Sequence, residues 1–427
     1  MLELDCGLEF DPAHEEDFYA ALPARPAVFL VESRQAGAHP YLVRTADLRR
    51  RLERLLRAAE GPTQRLNLRE FAARVRYRLT GSTFEQSLVL YQHARELFPR
   101  RYRALIRLRP PALLKLSLSN EYPRCYVTRR ILSDGGFYFG PFPSRRAAEA
   151  FSNEFLNLFK IRRCQIKIRR DPSFPGCIYS EMKMCLAPCF AGCSKEEYDV
   201  EVSRVVGFLA SSGAALVGEF GREREVSSEA LDFERAAALH RKLEKVAEVL
   251  RDLPELARKI DELDALVLQL AAEENTVAIF PVRGGRIADS FYLRFGELAS
   301  QPRSVEQILR EHVEPQMNTD EQRSEKQDAP QRHREHTGST EQKPDSDPVT
   351  GHGPRNTGQG TRVAGHELAE HLSLLARWFY SKPRQGEIFF RQPDWPYRRI
   401  IRGCSRLLAP QTKLPLAAEP PPPPQSN

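Results

Sequence analysis

Five of the chain's eight cysteines fall between Cys164 and Cys193, in the stretch RCQIKIRRDPSFPGCIYSEMKMCLAPCFAGCS. Cys6, Cys125 and Cys404 are scattered elsewhere. One tight cluster in an otherwise cysteine-poor chain of intracellular character points to a metal site rather than a disulfide framework. The spacing is C-x12-C-x7-C-x3-C over Cys164, Cys177, Cys185 and Cys189, with Cys193 as a spare. Four thiolates can close a site for zinc or for an iron–sulfur cluster. The spacing matches neither the paired CxxC of zinc sites nor the ferredoxin runs, so it does not choose the metal. A set of buried or loop thiols is the alternative reading.

A chain of 427 residues, 41% of them hydrophobic, has room for two or three modest domains. Lys and Arg number 64 against 57 Asp and Glu, a net charge of +7. That excess favours a polyanionic partner and says nothing about fold. The basic residues concentrate in RRRLERLLR (49–57), RRYRALIRLR (100–109) and KIRR (167–170), which suit nucleic-acid phosphates or solvated helix faces. No apolar run reaches the roughly 18 residues of a membrane span. The acidic start MLELDCGLEFDPAHEEDF lacks a signal pattern. These features predict a cytoplasmic protein with no membrane partner.

RPAVFLVES (25–33) and HPYLVRT (39–45), joined by QAGA, predict a β-hairpin. ADLRRRLERLLRAAE (46–60) sets Leu48, Leu52, Leu55 and Leu56 at helical spacing, with Asp47 in the first turn. STFEQSLVLYQHARELF (82–98) predicts a second helix, with Ser82 and Glu85 as a capping box. Further on, PALLKLSLS (111–119), RCYVTRRIL (124–132) and the aromatic GGFYFGPFPS (135–144) read as strands and turns. RRAAEAFSNEFLNLFK (145–160) reads as a helix with Phe151, Phe155, Leu156 and Phe159 on a core stripe. Tyr138 and Phe139 suit packing better than stacking on a base. Residues 215–253 have a helical pattern, with a second helix expected from about Ala230. LDALVLQLAAEENTVAIFPVRGGRIADSFYLRFGE (263–297) predicts three strands with a turn at Gly284–Gly285, and 304–313 a short helix. Residues 317–360 almost lack large apolar residues and predict a disordered linker. Residues 366–410 predict a small helical element with an exposed aromatic strand, in which Trp378, Phe379 and Tyr380 are packing residues. A Pro-rich tail follows.

EYPRCYVTRR (121–130), GFYFGPFPSRRAAEAFSNEFLNLFKIRRC (136–164), CLAPCFAGCSKEEY (185–198) and SSEALDFERAAALHRKLEKV (227–246), in that order, resemble the middle of the UvrC family of excinuclease ABC components, which act in bacterial nucleotide excision repair. The resemblance covers roughly 25–255 well and 256–313 weakly. It implies an α/β multidomain chain with a GIY-YIG-like domain (20–106), a middle region with the cysteine cluster (107–205) and a UVR helical hairpin (206–254). A small α/β segment (255–315), a linker (316–365), a helical and aromatic element (366–410) and the tail (411–427) complete the division. It further implies a 4Fe-4S cluster on Cys164, Cys177, Cys185 and Cys189, with zinc as the alternative and Cys193 outside the set. The implied partners are DNA and a UvrB-like helicase protein. The latter docks on the hairpin through Phe233, Glu234, Ala236, Ala237 and Leu243; His240-Arg241 stands where the family often has Arg-Asp.

In the family's nuclease pattern a Tyr in each strand of the hairpin, an Arg on the next helix and a metal-binding Glu on a later one act on a phosphodiester. The metal stabilises its charge. Tyr41 and Arg51 match. Phe29 stands for the first Tyr, Ala27 and Val43 for glycines, and Tyr91 for the Glu. Glu85 and Glu96, the nearest carboxylates, lie more than about 100° around the helix from Tyr91. A phenol with a pKa of ~10 is a poor metal anchor at neutral pH. These departures predict loss of incision by this module, with Mg required only if it is active. Residues resembling the family's second, RNase H-like nuclease are not found after 313. The expected function is a UvrC-like component that binds UvrB and damaged DNA without one or both incisions. The alternatives are a single-incision endonuclease and an iron–sulfur redox or regulatory protein.

Overall fold

The computed structural model describes residues 2–58, 65–298, 303–314 and 358–409. They form a mixed α/β chain with three antiparallel sheets.

The first sheet comprises β1 (Cys6–Glu9), β2 (Ala27–Ser33), β3 (Tyr41–Thr45) and β4 (Ala72–Leu79) in the order β1-β4-β2-β3. The predicted hairpin is β2–β3, with Phe29 opposite Val43. Strand alternation divides β2 between two cores. Ala27, Phe29 and Val31 pack toward α2 (Leu48–Leu56), while Val28 and Leu30 join the core of α3 (Thr83–Leu97). Asp47 is the cap of α2 rather than part of its first turn, accepting the Arg50 N–H at 3.0 Å. Ser82 caps α3 by accepting the Glu85 N–H at 3.1 Å. The second half of the box is displaced: the Glu85 carboxylate accepts from Gly81 N at 3.0 Å.

The second sheet has the order β6-β5-β7-β8, formed by β5 (Ala112–Leu116), β6 (Cys125–Thr128), β7 (Phe137–Phe142) and β8 (Arg258–Lys259). A helix at Arg145–Leu156, here α5, covers it; a short helix at Tyr102–Leu105, α4, precedes the sheet. Phe151, Phe155, Leu156 and Phe159 are all buried, as their stripe predicts, although α5 stops at Leu156 and not at Lys160. Tyr138 and Phe139 are buried too, so their rings pack. The cysteine loop holds one short helix, α6 (Ile178–Glu181). Then come α7 (Lys195–Ala210), α8 (Ala214–Glu229) and α9 (Phe233–Arg251). The expected boundary at 205/206 falls inside α7. The second hairpin helix begins at Phe233, three residues later than the pattern suggests. Leu231 takes a positive φ of 58°, and Asp232 caps by accepting the Arg235 N–H at 3.0 Å.

The third sheet corrects the sequence division most. The predicted strands are β9 (Ala265–Leu270), β10 (Thr276–Arg283) and β12 (Phe291–Arg294), with a short β11 (Arg286–Ile287) after the Gly284–Gly285 turn. Helices α10 (Phe295–Leu298) and α11 (Val305–Val313) follow. The expected separate element at 366–410 is part of this unit. Its strand β13 (Glu387–Phe390) pairs antiparallel with β9, and Ile388 and Phe389 are buried, not exposed. Helix α12 (Gly358–Phe379) packs Leu372, Leu375 and Trp378 on the face that carries Val267 and Phe280. Helix α13 (Tyr397–Leu408) and Leu309 of α11 pack on the face that carries Leu266, Leu268 and Ile279. Helix α12 begins within the stretch assigned to the linker. The rest of that linker and the Pro-rich tail lie outside the described residues. Among the described residues no single helix is long and apolar enough to cross a membrane.

Candidate functional site

The hairpin and α2 bring two expected residues together. Arg51, one turn into α2, donates from Nη2 to the Tyr41 hydroxyl at 3.1 Å. Phe29 is fully buried one strand away, its ring centroid 6.4 Å from that of Tyr41. No carboxylate pairs with Arg51 among the described residues, so the pair has its cation and its hydroxyl without an anionic metal ligand.

Tyr91 is not brought to this pair. It belongs to the other core, between α3 and α12, and is 2% exposed. Its hydroxyl donates to Glu370 Oε2 at 2.9 Å, and Arg95 donates to the same hydroxyl at 3.2 Å. Glu370 is 4% exposed. Its other oxygen accepts from the Tyr102 hydroxyl and from Arg103 Nε, both at 2.6 Å. Arg95 also pairs with Glu367, one turn earlier on α12. The His371 ring meets Tyr91 edge-on at 5.5 Å. Burial, and then the Glu370 carboxylate, hold the Tyr91 hydroxyl well above the usual phenol range, so it stays protonated and donates. Tyr91 therefore fastens the N-terminal module to α12.

The two nearby carboxylates are placed elsewhere. Glu96 is exposed. Glu85 is buried and accepts from the Tyr292 hydroxyl of β12 at 3.0 Å, with Arg78 3.8 Å away. Burial raises its carboxyl above the ordinary range despite these partners. Gly81, just before α3, lies so close to the end of β9 that a Cβ there would collide with the backbone of Leu270 and Ala271. Sequence reasoning missed Glu370 because its partners lie more than 250 residues away, beyond the reach of any local pattern.

The cysteine loop sets Cys164, Cys177 and Cys189 within electrostatic reach of Cys185. Burial pushes the Cys185 thiol up to about 11 against the pull of the Ala187 N–H, and the charges of Cys164, Cys177 and Cys189 add to the rise. Ala187 N donates to Cys185 Sγ at 3.3 Å, and Arg162 Nη1 approaches Cys164 Sγ at 3.9 Å. Cys177 caps α6, its sulfur accepting a backbone N–H. Ala187 and Ala191 take left-handed backbone angles (φ 56° and 60°) on either side of Cys189. Cys193 is buried in the apolar core with Tyr198 and Phe155. None of the cysteines is disulfide-bonded. Among the described residues no three His, Cys, Asp or Glu side chains stand close enough together to hold a metal ion. In kind the four thiols are soft donors that feel one another's charge, with N–H groups directed at their sulfurs.

At the turn of the α8–α9 hairpin, Val226, Leu231 and Phe233 are 65%, 70% and 66% exposed. Glu234 and Ala237 are also exposed, and Ala236 is half-buried. Leu243 packs inward against the hairpin's own core. The expected docking residues thus separate into an exposed group at the tip and one interior residue.

Comparison with known proteins adds to this geometry. The family model of the UvrC/Cho excinuclease middle domain matches residues 113–208, from β5 through the cysteine loop to α7. The UvrABC system protein C of Moorella thermoacetica is 28% identical over 299 residues, covering 70% of this chain and 48% of that protein. That of Carboxydothermus hydrogenoformans is 29% identical over 279 residues, covering 65% and 45%. Residues 113–208 thus match the UvrC/Cho middle domain, and the chain is similar to UvrC proteins over about two thirds of its length. It spans about half the length of the curated relatives it matches. No solved structure matches it. Within the UvrC middle-domain match lie all four candidate thiol ligands, the YVTRR strand end at Arg129 and the GPFPS turn into α5.

Proposed function

We propose that the chain acts in bacterial nucleotide excision repair as a UvrC-type component that joins a UvrB-type protein and damaged DNA and does not itself cut through its N-terminal module. The observation that carries the reading is the apolar tip of the α8–α9 hairpin. Val226, Leu231 and Phe233 are exposed within eight residues of sequence, although each gains about 1.5–3 kcal/mol when buried. Such a cluster suits docking on an apolar hairpin of a partner protein, with Phe233 as the anchor. The loss of cutting rests on Tyr91: a protonated phenol bonded to Glu370 stands where a metal-binding carboxylate is required.

Cys164, Cys177, Cys185 and Cys189 would hold a 4Fe-4S cluster, which when bound supplies a redox-sensitive charge and a cross-link for the loop. The protein residues bind it, and Arg162 and the Ala187 N–H direct hydrogen bonds at the ligand sulfurs.

Titration of the chain against UvrB from the same organism tests the docking. Phe233→Ala is expected to weaken binding at least about tenfold, the size of a modest hot spot, without changing the melting temperature. Absence of binding by the natural chain, or an unchanged affinity for the variant, overturns it.

A further inference from the structure

A cavity of about 330 Å³ lies between α5, the strand ends of the second sheet and α12. Arg109, Arg129 and Arg377 line it, together with Ser144 and Tyr380, and no carboxylate does. The guanidinium groups of Arg109 and Arg129 have no ion-pair or hydrogen-bond partner among the described residues, and both residues are exposed. Arg377 is held in place by the carbonyl oxygens of Ile106 (3.3 Å) and Arg107. Burial, and then the charges of Arg44 and Arg109, hold its guanidinium below the ordinary range, so positive charge converges here without compensation. Arg129 also lines the adjoining cavity of about 500 Å³, with Arg103 and Arg130. The two carboxylates of that second cavity are engaged, Asp134 by Lys115 and Glu370 by Tyr102 and Arg103.

The N-terminus of the twelve-residue α5 opens onto the first cavity. Its cap Ser144 accepts the Ala147 N–H at 3.0 Å and sits on the cavity wall. That helix end adds partial positive charge to the arginines. The YVTRR (126–130) and GPFPS (140–144) segments thus meet at one wall, and neither takes part in the cysteine loop or the hairpin tip.

We propose that Arg109, Arg129 and Arg377, beside the N-terminus of α5, form a site for a phosphate oxyanion. Two sources carry that group: the phosphodiester backbone of DNA, and free phosphate or pyrophosphate. The DNA form of the proposal rests on the reading that the chain engages DNA. Planar guanidinium forks suit both, because each presents paired N–H donors to two phosphate oxygens.

The test uses the full chain, Arg109→Ala/Arg129→Ala, and the charge-matched control Arg398→Ala/Arg402→Ala on exposed positions of α13. Affinity for a labelled duplex is measured from 50 to 200 mM salt, and melting temperature is measured with and without pyrophosphate. If the site takes backbone phosphates, the first variant binds DNA roughly tenfold more weakly at 0.1 M salt. Its log–log salt slope falls by about 1.8, since each phosphate contact contributes about 0.9; Arg129→Lys keeps most of the slope, and the control departs less. If it takes free phosphate, pyrophosphate raises the melting temperature of the natural chain and not of the variant, while DNA affinity matches the control. A natural chain that shows the pyrophosphate shift and binds no DNA sinks the DNA reading and leaves the site standing. A variant that matches the control in both arms overturns the site.

Discussion

Replacing Tyr91 by Glu restores the carboxylate that the nuclease pattern lacks, and the structure predicts that it damages the protein instead. Glu370 accepts the Tyr91 hydroxyl at 2.9 Å and is itself almost fully buried. A second carboxylate about 5 Å from the first, at an effective dielectric constant of about 20, adds roughly 3 kcal/mol of repulsion. Arg95, 3.2 Å from the Tyr91 hydroxyl, offsets part of that. Loss of a buried aromatic ring adds a cavity cost, on the order of 1–3 kcal/mol for a residue that partly refills the space. The net expectation is a loss of about 3–5 kcal/mol, against total stabilities of about 5–15 kcal/mol for domains. Tyr91→Phe removes one donor from Glu370, whose other two remain, and is expected to cost about 1 kcal/mol. Adding Glu370→Gln to Tyr91→Glu should recover about 2 kcal/mol, because it removes the repulsion. Urea denaturation of the four proteins measures these differences. A Tyr91→Glu variant as stable as the natural chain, or one that nicks DNA with Mn, refutes the placement of Tyr91 in a closed interface.

The same interface predicts a pH response. His371 Nδ1 accepts the Ile287 N–H at 2.9 Å, which requires an unprotonated ring nitrogen. Burial lowers its pKa below the ordinary 6.5, against the nearby carboxylate of Glu367 and with the help of Arg286. A depressed pKa gives stability that is complete above about 6.5 and lost as pH falls through the folded value. The natural chain should therefore lose melting temperature between pH 6.5 and 5, and His371→Gln, which keeps an acceptor, should show a shallower slope over that window; equal slopes contradict the assignment. For the cysteine loop, anaerobically purified protein should contain iron and acid-labile sulfide. Cys164→Ala and Cys185→Ala should each lose them while Cys193→Ala keeps them, and zinc alone in the natural protein would replace the cluster reading.

Much of the local structure was legible because it rests on short-range periodicity. The β2–β3 hairpin, the leucine stripe of α2, the phenylalanine stripe of α5 and the Gly284–Gly285 turn each lie where alternation or helical spacing puts them. Strand β4 is legible in the same way: Val75, Tyr77 and Leu79 alternate with Arg74, Arg76 and Arg78, a plain period of two. What local pattern cannot carry is pairing across the chain. Strand β13 reads as an exposed aromatic segment until β9, more than 100 residues earlier, covers its edge. The same limit applies at the candidate site. The sequence identifies Tyr91 as a departure from the nuclease pattern, and Tyr41 with Arg51 as its remainder. Only the fold shows that Tyr91 and its neighbour Tyr102 turn to Glu370, and that Glu85 is committed to Tyr292.

The most direct test of the account is incision of an end-labelled, lesion-bearing duplex in the presence of UvrA, UvrB, ATP and Mg, with complex formation followed on the same samples. The account predicts that the chain joins the UvrB–DNA complex and leaves both strands intact. Nicking that disappears on Arg51→Ala would contradict it, since the module would then be a working nuclease with its metal held in some other way.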